Sequence, residues 1–313
     1  MSLLRPTRIC LTGGAGFIGS HLAEGLLAAG HELTVLDNLS TGRRENLPVE
    51  ATFHELDIRS EEAAERVAAG GFEVLVHHAA QIDLRRSMED PLFDAQANIL
   101  GSLNLFEACR RGGVRQIVFA STGGAIYGEQ ERFPADEEHP TRPLSAYGVA
   151  KLSVEKYLYV YHAVYGLDVT CLRYANVYGE RQSPHGEAGV IAIFLDRLLA
   201  GRTPTIHGDG LQTRDYIHVS DVVRANLAVL GSPGYQVFNV GTGRETTVVE
   251  LCRQLRLAVG GAEAEHGPAK RGEQRRSSID PGRLLGSLGL PQPLGIEQGL
   301  ARTAAWFAAR AGR

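Results

Sequence analysis

Short apolar runs alternate with stretches whose apolar positions recur every three or four residues, and the alternation is regular through the first half of the chain. Residues 8–12 (RICLT) read as a strand, and 17–29 have helical periodicity that stops at Gly30. Further strands are expected at 32–36 (ELTVL), 51–55, 73–77 (EVLVH), 115–120 (RQIVFA) and 167–173. Helices are expected at 61–69, 91–111 and 145–165, the last two closed by Gly112-Gly113 and Gly166. Strands that are apolar almost throughout, each followed by a helix, predict an α/β fold: a doubly wound, Rossmann-type parallel sheet covered on both faces. Beyond about residue 175 Pro and Gly become frequent, helices shorten, and strands stand alone at 205–207, 216–218 and 236–240. A smaller, less regular C-terminal substrate domain is expected there. The predicted division is 1–175 plus about 216–241 for a dinucleotide-binding domain, and 176–215 with 242–313 for the second.

Composition narrows the function classes. A chain of 313 residues with 43% hydrophobic and 22% charged residues is an ordinary globular composition with room for a substantial core. A net charge of −4 gives no electrostatic footprint for nucleic acid or for an anionic membrane. No apolar run reaches the ~18 residues that a membrane span needs. The N-terminal MSLLRPTRICLTGG lacks signal-peptide form, and the four cysteines (10, 109, 171, 252) form no Cys-x-x-Cys, so a cytoplasmic protein with reduced cysteines is expected. His77-His78 end an apolar run without further ligands at metal spacing, which assigns them a structural role and predicts no metal.

The first strand runs into TGGAGFIGSH, where Gly13, Gly16 and Gly19 open a helix. Alone this is a weak signal. With a strand before it, a helix after it, and Asp37 at the end of the second strand, it is a dinucleotide fingerprint. The glycines allow a tight turn and bring backbone N–H groups to a pyrophosphate at a helix N-terminus. A carboxylate at 37 accepts hydrogen bonds from ribose hydroxyls and repels a 2′-phosphate, which points to NAD, with Arg43 and Arg44 the only nearby argument for NADP. Asp57 reads equally as a contact to the adenine edge or as a loop or helix-cap aspartate.

SAYGVAK places Tyr147 and Lys151 one helical turn apart on one face. Lys151 is one of three lysines in a chain whose Lys+Arg count is 32, so a lysine among so many arginines suggests a need for a compact ammonium. That charge is expected to lower the tyrosine pKa toward neutrality, making a base for a sugar hydroxyl. Ser121 and Thr122, at the end of the fifth strand, lie where ligands bind in such sheets, and either can supply a hydroxyl to the reacting oxygen.

These elements together identify a resemblance. TGGAGFIGSH, DNLSTG, HHAAQ, SAYGVAK, LRYANVYG, GDGLQTRDYIHVSDV and RGE resemble, over nearly the whole chain, the NAD-dependent sugar-nucleotide epimerases of the extended short-chain dehydrogenase/reductases, UDP-glucose 4-epimerases among them. The resemblance implies Tyr147 as base, Lys151 as its pKa tuner and ribose ligand, and Thr122 as hydroxyl partner with Ser121 beside it. It implies an NAD site lined by Gly13, Gly16, Phe17, Ile18, Gly19, Asp37, Asn38, Ser40, Asp57, Ile58, Ala79, Ala80, Gln81, Asn98 and Tyr174. It implies a UDP-sugar held by Asn176, Val190, Arg214, Arg271 and Glu273, with the arginines on the diphosphate and Glu273 on the uridine ribose. Asp215, Tyr216 and His218 are expected to support the site rather than do chemistry. The implied reaction is an isomerisation: hydride leaves sugar C4 for NAD, the 4-keto sugar turns over, and hydride returns to the other face.

Thr122 is followed by Gly123, Gly124 and Ala125, without the acids of related dehydratases and decarboxylases, and epimerisation needs none. The pocket-wall position that governs sugar size falls on Ser277, small enough for an N-acetyl group. Family members pair as homodimers through the two long helices, and the stripes Ile99, Leu103, Phe106 and Val154, Leu158, Tyr161 read equally as core.

Overall fold

The computed structural model describes residues 5–185, 189–269 and 274–311. The chain forms two compact units. The first comprises Met1–Ile126, Pro143–Arg173 and Val223–Phe238; the second comprises Tyr127–Arg142, Tyr174–Val222 and Asn239–Arg313.

The first unit is built on strands β1 (Arg8–Thr12), β2 (Glu32–Asp37), β3 (Thr52–Glu55), β4 (Val74–His77), β5 (Gln116–Thr122) and β6 (Asp168–Tyr174). With Tyr235–Val240 they make a seven-stranded sheet in the order Tyr235–Val240, β6, β5, β4, β1, β2, β3. The pairs β1–β2, β2–β3, β1–β4 and β4–β5 are all parallel. The interleaved helices are α1 (Phe17–Ala28), α2 (Glu61–Ala69), α3 (Leu84–Glu89), α4 (Pro91–Ala95), α5 (Gly101–Gly112), α6 (Gly123–Ile126) and α7 (Ala146–Tyr165). Every residue of β4 is buried, as a strand covered on both faces must be. One core cluster joins Leu75, Ile117 and Phe119 of the sheet to Val67 of α2, Leu105 and Phe106 of α5, and Val154 and Leu158 of α7.

The helix expected over 91–111 is not continuous. Asp90 caps α4, accepting from the Phe93 N–H at 3.0 Å, and Pro91 follows at its first turn. A π turn, Gln96–Leu100, then separates α4 from α5. That extra width sits at Asn98, which is 3% exposed. The α7 helix begins where expected, with Ser145 Oγ accepting from Gly148 N–H at 3.1 Å, and ends at Gly166 with φ of 72°.

The order of strands reverses between β1 and β4, and the loops leaving these two strands touch. Gly13 has φ of 71°, and a Cβ there would lie 2.6 Å from Ala79 N, so only glycine fits. Thr12, just before it, organises both loops. Its Oγ1 accepts the N–H groups of His78 at 3.2 Å and Ala79 at 3.1 Å, and so donates its own hydrogen to His77 Nδ1 at 2.7 Å. His77 Nε2 then carries the proton and donates to Ser102 Oγ at 3.0 Å, which donates to the Asn98 carbonyl at 2.5 Å. The chain of donors closes only with His77 neutral.

The second unit is less regular. Asn176–Tyr178 pairs parallel with Tyr216–His218, Thr213–Arg214 antiparallel with Thr246–Thr247, and Thr205–His207 parallel with Glu265–Gly267. Helices Val190–Leu199, Val248–Val259 and Ile296–Ala311 share a core of Ile191, Phe194, Leu195, Leu251, Leu255 and Leu300. Tyr216–His218, expected to return to the first domain, pairs here instead. Residues 127–142 also pack here: Tyr127 donates its hydroxyl to Asn239 Oδ1 at 2.7 Å, and Ala135 N–H donates to Ser278 O at 2.9 Å.

Burial lowers the pKa of His77 well below the usual imidazole value and that of His78 to about 3. An unfolded chain takes up these protons near pH 6.5, so the stability from keeping both neutral is complete above that pH and declines as pH falls, by about 1.4 kcal/mol per pH unit for each histidine. The urea midpoint should therefore drop between pH 7 and pH 5.5, and drop less in His78→Gln. Parallel midpoints in the two proteins would show that His78 carries no such linkage.

Candidate active site

The glycine turn makes an open cradle. A Cβ on Gly19 would sit 2.1 Å from Gly13 O, and one on Gly14 would sit 2.6 Å from Val35 Cγ1, so these two glycines serve packing within the protein. Gly16 differs: its Cβ would meet only Gly13 O, at 3.3 Å. The space before it lies at the start of α1, where no side chain caps the helix and no acid occupies the first turn, so free N–H groups and the helix dipole are available to an anion. Phe17 and Ile18 form that first turn.

Asp37 ends β2, buried, with Oδ2 accepting from Ala15 N–H at 2.9 Å and Oδ1 from Leu39 N–H at 2.8 Å. Burial pushes its pKa up, and the two backbone donors oppose this. Each oxygen keeps a lone pair for a hydroxyl. Asn38 donates to Asp57 Oδ2 at 3.1 Å, and Ser40 N–H donates to Asn38 Oδ1 at 3.1 Å. Asp57 is gripped by Arg59 at 2.9 and 2.7 Å, chiefly for which its pKa falls to about 2. Ser60, not Asp57, caps α2. Ile58 is buried beside them. Of the two arginines that could serve a 2′-phosphate, Arg44 lies 4.5 Å over the Phe53 ring and Arg43 is 3.6 Å from Glu45, both contacts at the surface.

Loop residues Ala79, Ala80 and Gln81 leave β4, with Ala79 held by Thr12 and Gln81 by Asn98. Asn98 Oδ1 accepts from Gln81 N–H at 2.9 Å, while Nδ2 donates to Gln81 O at 2.9 Å and to Asp94 Oδ1 at 3.0 Å.

On α7, Tyr147 is half-buried and Lys151 only 4% exposed. Lys151 Nζ donates to Ala120 O at 2.8 Å and lies 5.9 Å from the centre of the Tyr147 ring. Burial lowers the lysine pKa to about 8, with Asp94 and Glu155 holding it up. Tyr147 departs from expectation. Its phenol is pushed above its ordinary value, first by burial and then by the Asp94 charge, so the protein's own groups do not bring it toward neutrality.

The two hydroxyls at the end of β5 part company, since alternate residues of a strand face opposite sides. Ser121 is buried and donates to Glu155 Oε1 at 2.5 Å. Glu155 also receives Arg173 Nε at 3.0 Å and Arg173 Nη2 at 2.6 Å, a buried ion pair. Thr122 is half-buried at the strand's last position. Sequence patterning passed over Asp94, Glu155 and Arg173. The available signal was charge at core-facing positions: Glu155 one turn after Lys151, Arg173 within an apolar strand, and Asp94 one turn before Asn98.

In the second unit Tyr174 is buried, Asn176 exposed, and Val190 begins its helix. Arg214 Nη1 donates to Thr213 O at 2.7 Å. Ser277 is buried, next to Ser278, whose N–H donates to Gln130 Oε1 at 3.0 Å. Asp215 is a structural clasp, accepting from Thr242 N–H and Oγ1, Gly243 N–H and Ile279 N–H at 2.6–3.3 Å. Tyr216 and His218 are buried, with His218 Nδ1 2.8 Å from Ser220 Oγ and Nε2 3.3 Å from the Glu180 carboxylate. Arg271 and Glu273 lie outside the described residues.

Known proteins are similar to this chain. The model of the NAD dependent epimerase/dehydratase family matches residues 9–241. A UDP-glucose 4-epimerase from Mycolicibacterium smegmatis is 45% identical over 307 residues, covering 96% of this chain and 98% of its own. The structure of UDP-glucose 4-epimerase from Thermotoga maritima with UDP-glucose matches with a TM-score of 0.95 at 45% identity, over 97% of this chain and 99% of that one. That of the Thermus thermophilus UDP-glucose 4-epimerase in complex with NAD matches with a TM-score of 0.90 at 46% identity, over 96% and 98%. With a glycine cradle, a buried carboxylate at the end of β2 and a Tyr-x-x-x-Lys helix in one unit, and relatives of this similarity end to end, the chain belongs to the NAD-dependent epimerase/dehydratase family of extended short-chain dehydrogenase/reductases.

Proposed function

We propose that this protein is a UDP-glucose/UDP-galactose 4-epimerase that keeps NAD bound through its cycle. The observation that carries this reading is the buried Lys151 ammonium beside Tyr147, in the same unit as the Gly13–Gly19 cradle and Asp37. NAD, when bound, accepts the sugar's C4 hydride and gives it back. Its pyrophosphate suits the open start of α1 at Gly16, Phe17 and Ile18, and its adenosine ribose suits Asp37, whose charge disfavours NADP. Asn38, Ser40, Asp57 and Ile58 line the adenine side. Ala79, Ala80, Gln81, Asn98 and Tyr174 line the rest.

The chain's residues move one proton. Tyr147 takes it from the sugar 4-hydroxyl and returns it after the ring has turned. Burial opposes phenolate, so the ionised base depends on positive charge close by, and Lys151 supplies the protein's share. Thr122 donates a hydrogen bond to the reacting oxygen, because Ser121 already donates to Glu155. Asn176, Val190, Arg214, Arg271 and Glu273 hold the nucleotide-sugar, with the guanidinium groups on the diphosphate. Ser277 leaves room for an N-acetyl group, so UDP-GlcNAc and UDP-GalNAc are also substrates. The exposed Leu92, Leu100, Tyr157, Val160 and Val164 favour a homodimer, and the protein is assigned to the cytoplasm.

Purified protein given UDP-glucose without added cofactor should form UDP-galactose, resolved by NMR. Tyr147→Phe should lower that rate by at least about 100-fold. No conversion even with added NAD would overturn the proposal. A bulky Ser277→Tyr should lower turnover of N-acetylated sugars relative to plain hexoses; an unchanged ratio would remove Ser277 from the pocket wall.

A further inference from the structure

A buried ammonium must be matched by negative charge or it gives up its proton. Two carboxylates act on Lys151, namely Asp94 and Glu155. Glu155 is already matched, since it takes two hydrogen bonds from Arg173 and one from Ser121. Asp94 is not. It is 1% exposed, and its Oδ1 accepts only from neutral amides, Gln81 Nε2 at 3.1 Å and Asn98 Nδ2 at 3.0 Å. Its Oδ2 is buried with no hydrogen-bond partner among the described residues. Asp94 sits on α4, and α4 and the π turn after it both pack against α7, which carries Tyr147 and Lys151. Besides Tyr147, the other titratable groups around Lys151 among the described residues are His77 and His78, both neutral through burial, and the self-compensated Glu155–Arg173 pair. Among the described residues, Lys151 and Asp94 are thus the two charges in this cluster without an ion-pair partner of their own.

We propose that Asp94 is a positioning residue for the Tyr147–Lys151 pair, its unpartnered carboxylate oxygen keeping the buried Lys151 ammonium charged across the packing of α4 on α7. The same carboxylate orients Asn98, and through it the Gln81 loop. This role rests on the epimerase function proposed above. Burial pushes the Asp94 pKa up, against the pull of Gln81, Asn98 and Lys151. Its negative charge favours the ammonium of Lys151 and opposes the phenolate of Tyr147. Removing that charge therefore moves both groups to lower pKa, favouring the phenolate and weakening the ammonium, and the two titrate as a coupled pair. An architectural role alone would lower the rate at every pH and leave the limbs of the profile in place.

The test is the pH dependence of kcat for UDP-galactose conversion by the protein as isolated, in the parent, Asp94→Asn and Asp94→Glu. Both limbs of the Asp94→Asn profile should move to lower pH by about one unit, and Asp94→Glu should bring them back toward the parent. The same displacement should appear without turnover in the phenolate absorbance that Tyr147→Phe removes. Limbs that stay in place while the parent is active would overturn the role of Asp94 and leave the epimerase reading standing. An inactive parent would instead overturn the epimerase reading. If Asp94→Asn does not fold, Asp94→Ser carries the same measurement, and failure of both to fold would make Asp94 architectural and overturn the proposal.

Discussion

A lysine ammonium held out of water sets the terms for the rest of the first unit. Lys151 has one carbonyl partner, Ala120 O at 2.8 Å, and burial draws its pKa down to about 8. A charge in that position needs rigid polar surroundings, because a mobile neighbour would let the proton leave. The surroundings are rigid for identifiable reasons. Ala120 belongs to a strand in the middle of the sheet, α7 is capped at both ends, and the α4–π–α5 segment is pinned by Asn98 to the loop after β4. Thr12 and His77 tie that loop to the glycine turn. One network of hydrogen bonds thus runs from the cradle at Gly13 to Asp94, on a helix that packs against α7.

The same network explains how burial can work for the site as well as against it. Left to its own packing, Tyr147 resists ionisation. Low dielectric strengthens every charge interaction it can make, so positive charge brought beside it counts for more than it would in water. Glu155 could have neutralised Lys151 outright, one turn along α7. Its pairing with Arg173 and Ser121 prevents that and turns a potential quencher into a structural tie between α7, β5 and β6.

Much of this was legible in the sequence. The central strands of the sheet could be read because they are apolar on both faces, and Ser145 and Gly166 marked the ends of α7. Asp37 and the glycines stood out because a strand–turn–helix pattern surrounds them, although Gly13 packs against Ala79 and Asp37 accepts from Ala15. The π turn was not, since what fixes it is Asn98 bonding to Gln81 across a loop. Residues 127–142 were placed with the wrong neighbours because Asn239 and Ser278, which hold them, lie far along the chain. That Ser121 and Thr122 face opposite ways follows from the pleat of β5, and Ser121's partner Glu155 lies 34 residues along the chain. Asp94 stands in a helix's first turn, where an acid is ordinary, so its place one turn before Asn98 gave only a weak signal of its burial.

The central claim is that the protein's own base and a resident hydride carrier act together at one sugar carbon. It is tested most directly with UDP-glucose deuterated at C4, turned over in ordinary water. Mass spectrometry and NMR of the UDP-galactose formed should find the deuterium still at C4, with none exchanged for solvent hydrogen. Deuterium lost to water, or retained label with no change of configuration, would contradict the account.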